Sequence, residues 1–456
     1  MGCCNWRCGL ITGAVFGALV AILGGVLIPV GDILIETVIE PGTTAYDNWA
    51  AAGVVVYRQF WFFDVQNPIE VLNYGTSPVV IERGPYTYKT RYLPKDNIMF
   101  NPNMTVSFVL PLGAIFEPSM SAGSEEDKIT SLNLAVAGAY SLAPEQFHGL
   151  LETLIRMSNS SLFQRRTVKE LLWGYHDPLL KSTLGLFAPY NGTFDGPYNV
   201  FTGKDDISKV GIIDRWKGEK LSFWNDPYCD MINGTDASAF APGLDKKKPL
   251  YFFSSDICRS VSASYERSYS LKDIEVYRYG LLPSTLASPI DNPDNRCFCR
   301  NFKTTKNCTM AGVLDLSSCQ EGRPIYMSLP HFLHGSPSLL TDVLGLSPNE
   351  EHHSTYLDVE PNTGFTLKFA KRIQVNMMYG PSDKITVLKK VKDYTIFPLV
   401  WMNEVRKQDN LAVCLLQMLL NQRLCSICAV SMFICNFFFL MLVVSATWSC
   451  LSISEN

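Results

Sequence analysis

Charge is scarce in this sequence: of its 456 residues, 18% are Asp, Glu, Lys or Arg, against about 25% in soluble proteins. The formal net charge of −4 leaves no global basic field, so the electrostatic footprint of a nucleic-acid binder is missing. Catalytic signatures are missing too. There is no G-x-S-x-G elbow and no H-E-x-x-H pair. Gly196 to Lys204 has the wrong glycine spacing for a phosphate-binding loop, and Asp205 follows the lysine. Glu350-Glu351-His352-His353 is read as a solvated loop rather than a metal site, because it lies in a Pro- and Asn-bearing stretch without supporting cysteines. No enzyme, cofactor or metal is expected. Asp32 to about Gln408 contains no repeat, low-complexity tract or long linker, which argues for one large domain.

Two segments lack charge altogether. Gly9 to Gly31 is long enough for a membrane helix, which needs about 20 apolar residues. It is read as an uncleaved anchor, since a cleaved signal has a shorter apolar core and a small-x-small cleavage site. Gly9, Gly13, Gly17, Ala21 and Gly25 recur every four residues and would give that helix one smooth face. Leu424 to Ser454 is the second uncharged segment, with a core rich in Phe and Leu. Cys3, Cys4 and Cys8 flank the first segment as candidates for palmitoylation. Arg7 is the only tail cation, while Arg406, Lys407 and Arg423 precede the second segment. The positive-inside rule therefore does not support a hairpin with both tails in the cytoplasm.

The remaining features favour an oxidising compartment. Cys229, Cys258, Cys297, Cys299, Cys308 and Cys319 form an even set in the polar middle, as disulfides require. Spacing alone does not choose their pairing. Zinc is disfavoured because Cys297-Phe298-Cys299 lacks the gap of a zinc knuckle. Sequons begin at Asn103, Asn159, Asn191, Asn233 and Asn307, all between the apolar ends. That partition places the middle outside the cytoplasm.

Short β-rich runs bounded by Pro, Gly, Asn and Asp predict strands over Val54–Val65, Val79–Tyr92, Thr105–Leu110, Gly211–Trp216, Ile274–Tyr279, Pro324–Ser328, Thr366–Val375 and Lys384–Leu388. Pro144 to Met157 predicts a helix, with Phe147, Leu150, Leu151, Leu154 and Ile155 on one face. A second helix is expected after Thr167, with Glu170 at capping-box spacing. Arg156, Arg165, Arg166 and Lys169 surround the junction. An apolar helix pair rimmed by cations suits an amphipathic anion such as a fatty acid, although a core-packed helix with a solvated basic face has the same pattern.

Several segments resemble the class B scavenger receptor family, and most closely its fatty-acid-translocating branch. They are YRQFWFFDVQNP (57–68), ERGPYTYK (82–89), GAIFEPS (113–119), ELLWGYHDP (170–178), ASPIDNPDNRCFC (287–299), EGRPIYMSLPHFL (321–333) and LDVEPNTGFTLKFAKRIQVN (357–376), together with the N-terminal GLITGAVFGALVAILGGVLIPVGD (9–32). The resemblance covers about 1–404. It implies a membrane protein whose mainly antiparallel β ectodomain is barrel-like, contains a hydrophobic tunnel and carries a helical apex. Two transmembrane helices flank that ectodomain. The division is a cytoplasmic tail at 1–8, a membrane helix at 9–31, an extracellular lipid-binding domain at 32–423, a second membrane helix at 424–451 and a tail at 452–456. The implied disulfides join Cys229 to Cys297, Cys258 to Cys319 and Cys299 to Cys308.

The implied function is capture and uptake of long-chain fatty acids, oxidised lipoproteins and anionic phospholipids at the plasma membrane, with rafts and endosomes as further sites. Thrombospondin is a further implied partner, at about Tyr88–Ala114. Phe147, Leu151, Leu154 and Ile155 would receive the apolar part of the ligand. The resembled branch carries a lysine pair where this chain has Met157 and Asn159, so the head-orienting role passes to Arg156, Arg165, Arg166 or Lys169. An adhesion or cargo receptor that binds proteins at its apex is the alternative. After Glu404 the motifs end, although the sequence stays apolar enough to span a membrane.

Overall fold

The computed structural model describes residues 36–50 and 55–406. The expected membrane helices at 9–31 and 424–451, and Cys3, Cys4 and Cys8, lie outside the described residues. Among the described residues no helix is long and apolar enough to cross a membrane.

The strands, in chain order, begin with β1 (Val56–Val65), β2 (Val80–Arg91), β3 (Asp96–Asn101), β4 (Thr105–Leu112) and β5 (Ile115–Phe116). β6 (Lys128–Leu132), β7 (Phe163–Thr167), β8 (Tyr175–His176), β9 (Thr183–Leu184), β10 (Thr193–Phe201) and β11 (Ile213–Trp216) follow. β12 (Leu250–Ser254), β13 (Arg259–Leu271), β14 (Ile274–Leu281), β15 (Leu314–Asp315) and β16 (Ile325–Ser328) come next. β17 (Tyr356–Val359), β18 (Thr366–Tyr379) and β19 (Thr395–Arg406) complete the set. The helices are α1 (Thr44–Ala50), α2 (Pro68–Tyr74), α3 (Leu134–Leu142), α4 (His148–Met157), α5 (Val168–Trp173), α6 (Pro337–Asp342) and α7 (Glu350–His353).

The architecture is mainly antiparallel β. An 11-stranded sheet runs β12-β13-β14-β17-β18-β19-β1-β2-β5, with β16 and β15 branching from β18. A four-stranded sheet runs β11-β10-β4-β3. β1 lies between β19 and β2, and its run VYRQFWFFDV buries Phe60, Phe62 and Phe63 completely. A strand covered on both faces reads as a nearly continuous apolar run rather than an alternation. Trp61 faces Trp401 across the ladder, and their rings stack 3.9 Å apart. Gly84 stands at the break in register between β1 and β2 with φ +154°, where a Cβ would lie 2.6 Å from the Phe60 carbonyl oxygen.

Two apolar clusters form most of the core. One gathers Phe60, Phe62, Tyr88, Leu172, Tyr326 and Val400; the other gathers Phe108, Tyr198, Trp224, Phe298 and Leu314. Disulfides join Cys229 to Cys297, Cys258 to Cys319 and Cys299 to Cys308. The first two close loops of more than 60 residues; in the chain-entropy account such loops give about 4 kcal/mol each.

The Lys384–Leu388 strand expected from sequence is instead a 3-10 turn at Thr386–Leu388. That turn caps the side of α4: Glu152 accepts from the Thr386 backbone N–H (2.8 Å) and hydroxyl (2.6 Å). The helix expected from Pro144 divides into a 3-10 turn, Glu145–Phe147, followed by α4. Glu350 to His353 forms α7 rather than a solvated loop, and His353 is buried.

Candidate functional site

A cavity of about 250 Å³ opens where the two core clusters meet. Strands β10, β11, β16, β18 and β19 supply its walls through Phe194, Trp216, Met327, Ile373, Val375 and Met402. The Cys258–Cys319 bridge closes one side, with both cysteines in the lining. Lys217 and Arg323 also line it, and both are exposed. The Lys217 ammonium lies 4.4 Å from the Trp216 ring centroid, and Arg323 pairs with Glu321 at 3.2 Å. The lining mixes apolar walls with three acids, Asp195, Asp256 and Glu321, and Arg323 is already paired with the last of these, so the place where the anionic end of a long apolar molecule meets a cation is the rim at Lys217.

The inner wall carries Asp256, which belongs to a buried charge network. Arg58 contacts Glu404 at 2.8 Å and Asp256 at 3.7 Å, Lys371 pairs with Asp256, and Arg91 stands 3.9 Å from Glu404. Burial pushes the Asp256 carboxyl up, but Lys371 and Arg58 outweigh it and hold the group below the usual carboxylate range. Glu404 is likewise pushed up by burial, yet Arg91 and Arg58 bring it down to about 2. Both acids are therefore ionised at neutral pH. An anionic head group is disfavoured beside Asp256 and beside the paired Arg323–Glu321, and favoured beside Lys217.

The residues singled out from sequence lie elsewhere; none of Phe147, Leu151, Leu154, Ile155, Arg156, Arg165, Arg166 and Lys169 lines this cavity. Leu151 and Ile155 are buried in the first core cluster. The opposite edge of α4 and the turn before it leave Phe147, Leu150, Leu154 and Met157 exposed at 50%, 60%, 43% and 80%. Their spacing makes one continuous apolar stripe. Arg165 and Arg166 belong to β7, paired with β6, and α5 begins just after them. Thr167 and Glu170 form a reciprocal capping box at its start. Arg166 lies 4.3 Å from the Tyr175 ring centroid and 3.6 Å from Glu170, and Lys169 pairs with Glu125 at 2.9 Å. Arg156 and Arg165 are exposed and have no ion pair among the described residues.

Lys217 and Arg323 were missed by sequence reasoning. Each abuts a strand that the sequence does predict, Gly211–Trp216 and Pro324–Ser328. The missing signal is the long-range contact that brings the two strand ends to one cavity.

A second polar cluster joins Glu82, His331 and His353, whose ligand atoms lie within 4.8 Å of one another. The Ser347 backbone N–H donates to His331 Nδ1 and the Asn349 N–H to His353 Nδ1, both at 3.0 Å. Neutral rings held this way carry their hydrogens on Nε2. His331 Nε2 then donates to Glu82 at 2.6 Å, as does Trp401 Nε1 at 2.6 Å. Burial pushes the Glu82 carboxyl up, but these two donors outweigh it and lower the pKa. A metal on either Nε2 would need a hydrogen on Nδ1, where a backbone N–H already points. The cluster is built to hold a carboxylate, not to ligate a cation.

Comparison with known proteins gives the family context. The CD36 family model matches residues 11–447, continuing past Glu404, where the motifs end. The chain is 34% identical over 414 residues to scavenger receptor class B member 1 of Cricetulus griseus, covering 86% of this chain and 79% of that one. It is 36% identical over 383 residues to lysosome membrane protein 2 of Homo sapiens, covering 81% of this chain and 78% of that one.

Proposed function

The chain belongs to the CD36 family, and from that membership we propose that it is a cell-surface receptor for long-chain fatty acids, oxidised lipoproteins and anionic phospholipids that promotes their uptake. Its place among class B scavenger receptors makes it a membrane receptor. In this reading 9–31 and 424–451 cross the plasma membrane, Cys3, Cys4 and Cys8 are acylated, and a tunnel through the ectodomain carries the lipid.

The cavity walled by Phe194, Trp216, Ile373 and Met402, with Lys217 and Arg323 at its rim, is the observation that supports it. Each methylene moved out of water is worth about 0.8 kcal/mol, so an acyl chain needs little beyond a narrow apolar wall. The volume of about 250 Å³ lies under the ~300–1,000 Å³ usual for drug-sized ligands. That favours a thin chain over a fused-ring lipid.

Uptake of a fluorescent long-chain fatty acid by cells expressing the chain tests the reading. Uptake above untransfected cells is expected, and Ile373→Trp, which fills the cavity, should lower it about tenfold, a change of roughly 1.4 kcal/mol in binding. Surface staining without uptake would sink the proposal. So would an Ile373→Trp variant that matches the parent.

One observation favours the adhesion or cargo reading: the exposed stripe Phe147, Leu150, Leu154 and Met157. Contiguous exposed apolar surface commonly marks a protein contact. Leu150→Asp with Leu154→Asp separates the two readings. Loss of protein capture with fatty-acid uptake intact would assign the stripe to a protein partner such as thrombospondin or a lysosomal cargo.

A further inference from the structure

The sequon at Asn233 lies in a groove. Asn233 lines a cavity of about 140 Å³ together with Tyr228, Met231, Tyr251, Asn292, Asp294 and Arg259. Three of these are apolar or aromatic and stand 44% exposed: Tyr228, Met231 and Tyr251. A space of about 150 Å³ accepts a single six-membered ring. Exposed tyrosines present an apolar face to one side of a ring and a polar edge to its hydroxyls. Asn292 and Asp294 add polar groups at the same rim.

The groove is rigid. The Asn233 backbone N–H donates to Ser260 Oγ at 2.7 Å, and Thr235 donates to the Tyr251 carbonyl at 3.3 Å. Gly234 passes so close to β12 that a Cβ there would lie 1.9 Å from the Tyr251 carbonyl oxygen. On the far side, Arg259 Nη1 donates to Asn295 at 2.7 Å, and the Cys229–Cys297 bridge ties the segment carrying Tyr228 to the turn at 293–298. No hydrogen bond to the Asn233 side-chain amide is found among the described residues, so its nitrogen is available for a sugar link. Thr235 is buried, and its hydroxyl accepts from the Ala237 N–H at 3.0 Å. The sequon hydroxyl is out of reach once the chain folds, so a sugar at Asn233 is attached first and is present when the groove forms.

We propose that the N-linked glycan of Asn233 folds back into this groove, its first N-acetylglucosamine covering Tyr228, Met231 and Tyr251. The proposal rests on the reading of Asn233 as a glycosylation site. The sugar becomes part of the packed surface and closes an apolar patch that protein alone leaves open.

Enzymatic release of N-glycans from the folded full-length glycoprotein tests it, with occupancy at each asparagine followed by mass spectrometry. Release at Asn233 should be about tenfold slower than at the exposed sequons Asn159 and Asn191, because the linkage is reached only when the sugar leaves the groove. Denaturation should abolish the difference. Tyr228→Ala combined with Tyr251→Ala should bring Asn233 to the common rate, whereas Tyr251→Phe, which keeps the ring, should not. Equal rates in the parent protein overturn the proposal, as does protection that survives the double alanine variant. An unmodified Asn233 overturns the sequon reading and the proposal together, while a modified but unprotected Asn233 overturns the proposal alone.

Discussion

A buried neutral imidazole makes stability depend on pH, and His353 is placed to do so. Its ring stacks 4.4 Å from His331 and meets Trp401 edge-on. Burial, then the neighbouring His331, lowers its pKa to about 4; Arg372 and His352 act in the same direction, and Glu82 opposes them. The unfolded value is about 6.5. Between those pH values the unfolded chain binds a proton that the folded chain does not, so stability falls as pH drops from about 6.5 towards about 4. Glu82, whose folded pKa is depressed, adds stability above its unfolded value of about 4.3 and loses it at lower pH still. The His353 effect is of order 2 kcal/mol at pH 4.5. His353→Gln keeps an acceptor for Asn349 but cannot take up the proton. Thermal melts of the detergent-solubilised chain should show a smaller loss of Tm from pH 7 to pH 4.5 in the variant. An equal loss would remove His353 from the account. Nothing local in Glu350-Glu351-His352-His353 marks the last residue as the buried one. The signal lies in Glu82, His331 and Trp401, far away along the chain.

At the scale of elements, α4 has two apolar edges where the sequence presents one broad face. Leu151 and Ile155 enter the core, while Leu150 and Leu154 face outward. Ile155→Ala should therefore cost about 2–5 kcal/mol, and Leu150→Ser less than about 0.5 kcal/mol, as read from denaturant midpoints. Similar costs at both positions would mean that the stripe is covered. The periodicity shows the helix but not its orientation, because neighbouring positions carry the same residue type. Strand legibility follows the same logic. β1, β2 and β18 are readable as concentrated apolar or β-branched runs between turn residues. β13, RSVSASYERSYSL, is too polar to stand out. β19 carries Pro398, which argues against a central strand, yet β19 lies between β18 and β1. The proline is accommodated at a shift in register, where Asn376 pairs with Pro398 and Val375 with Val400, as bulges permit.

At the scale of the molecule, the antiparallel pairing of β1 with β19 sets Val56 opposite Arg406. The chain thus enters and leaves the large sheet at one end. The buried charge network is centred on the same pair of strands. Arg58 on β1 reaches Glu404 on β19 and Asp256, two residues before the Cys258–Cys319 bridge, while Lys371 on β18 holds Asp256 from the other side. The cavity wall at Asp256 and these central strands of the sheet are therefore coupled electrostatically. Removing one partner of a buried pair leaves a desolvated charge without compensation and typically costs about 3–5 kcal/mol, whereas replacing both with apolar residues is often close to neutral. Arg58→Met should accordingly be severe, sharply lowering surface expression. Arg58→Met with Glu404→Leu should restore most of it, because Lys371 still pairs with Asp256 and the partly exposed Arg91 can turn towards water. Surface staining and fatty-acid uptake, measured together on both variants, check this. If the double variant is as poor as the single one, the network is required for more than neutralisation, and the ion pair itself sets the register of β1 on β19.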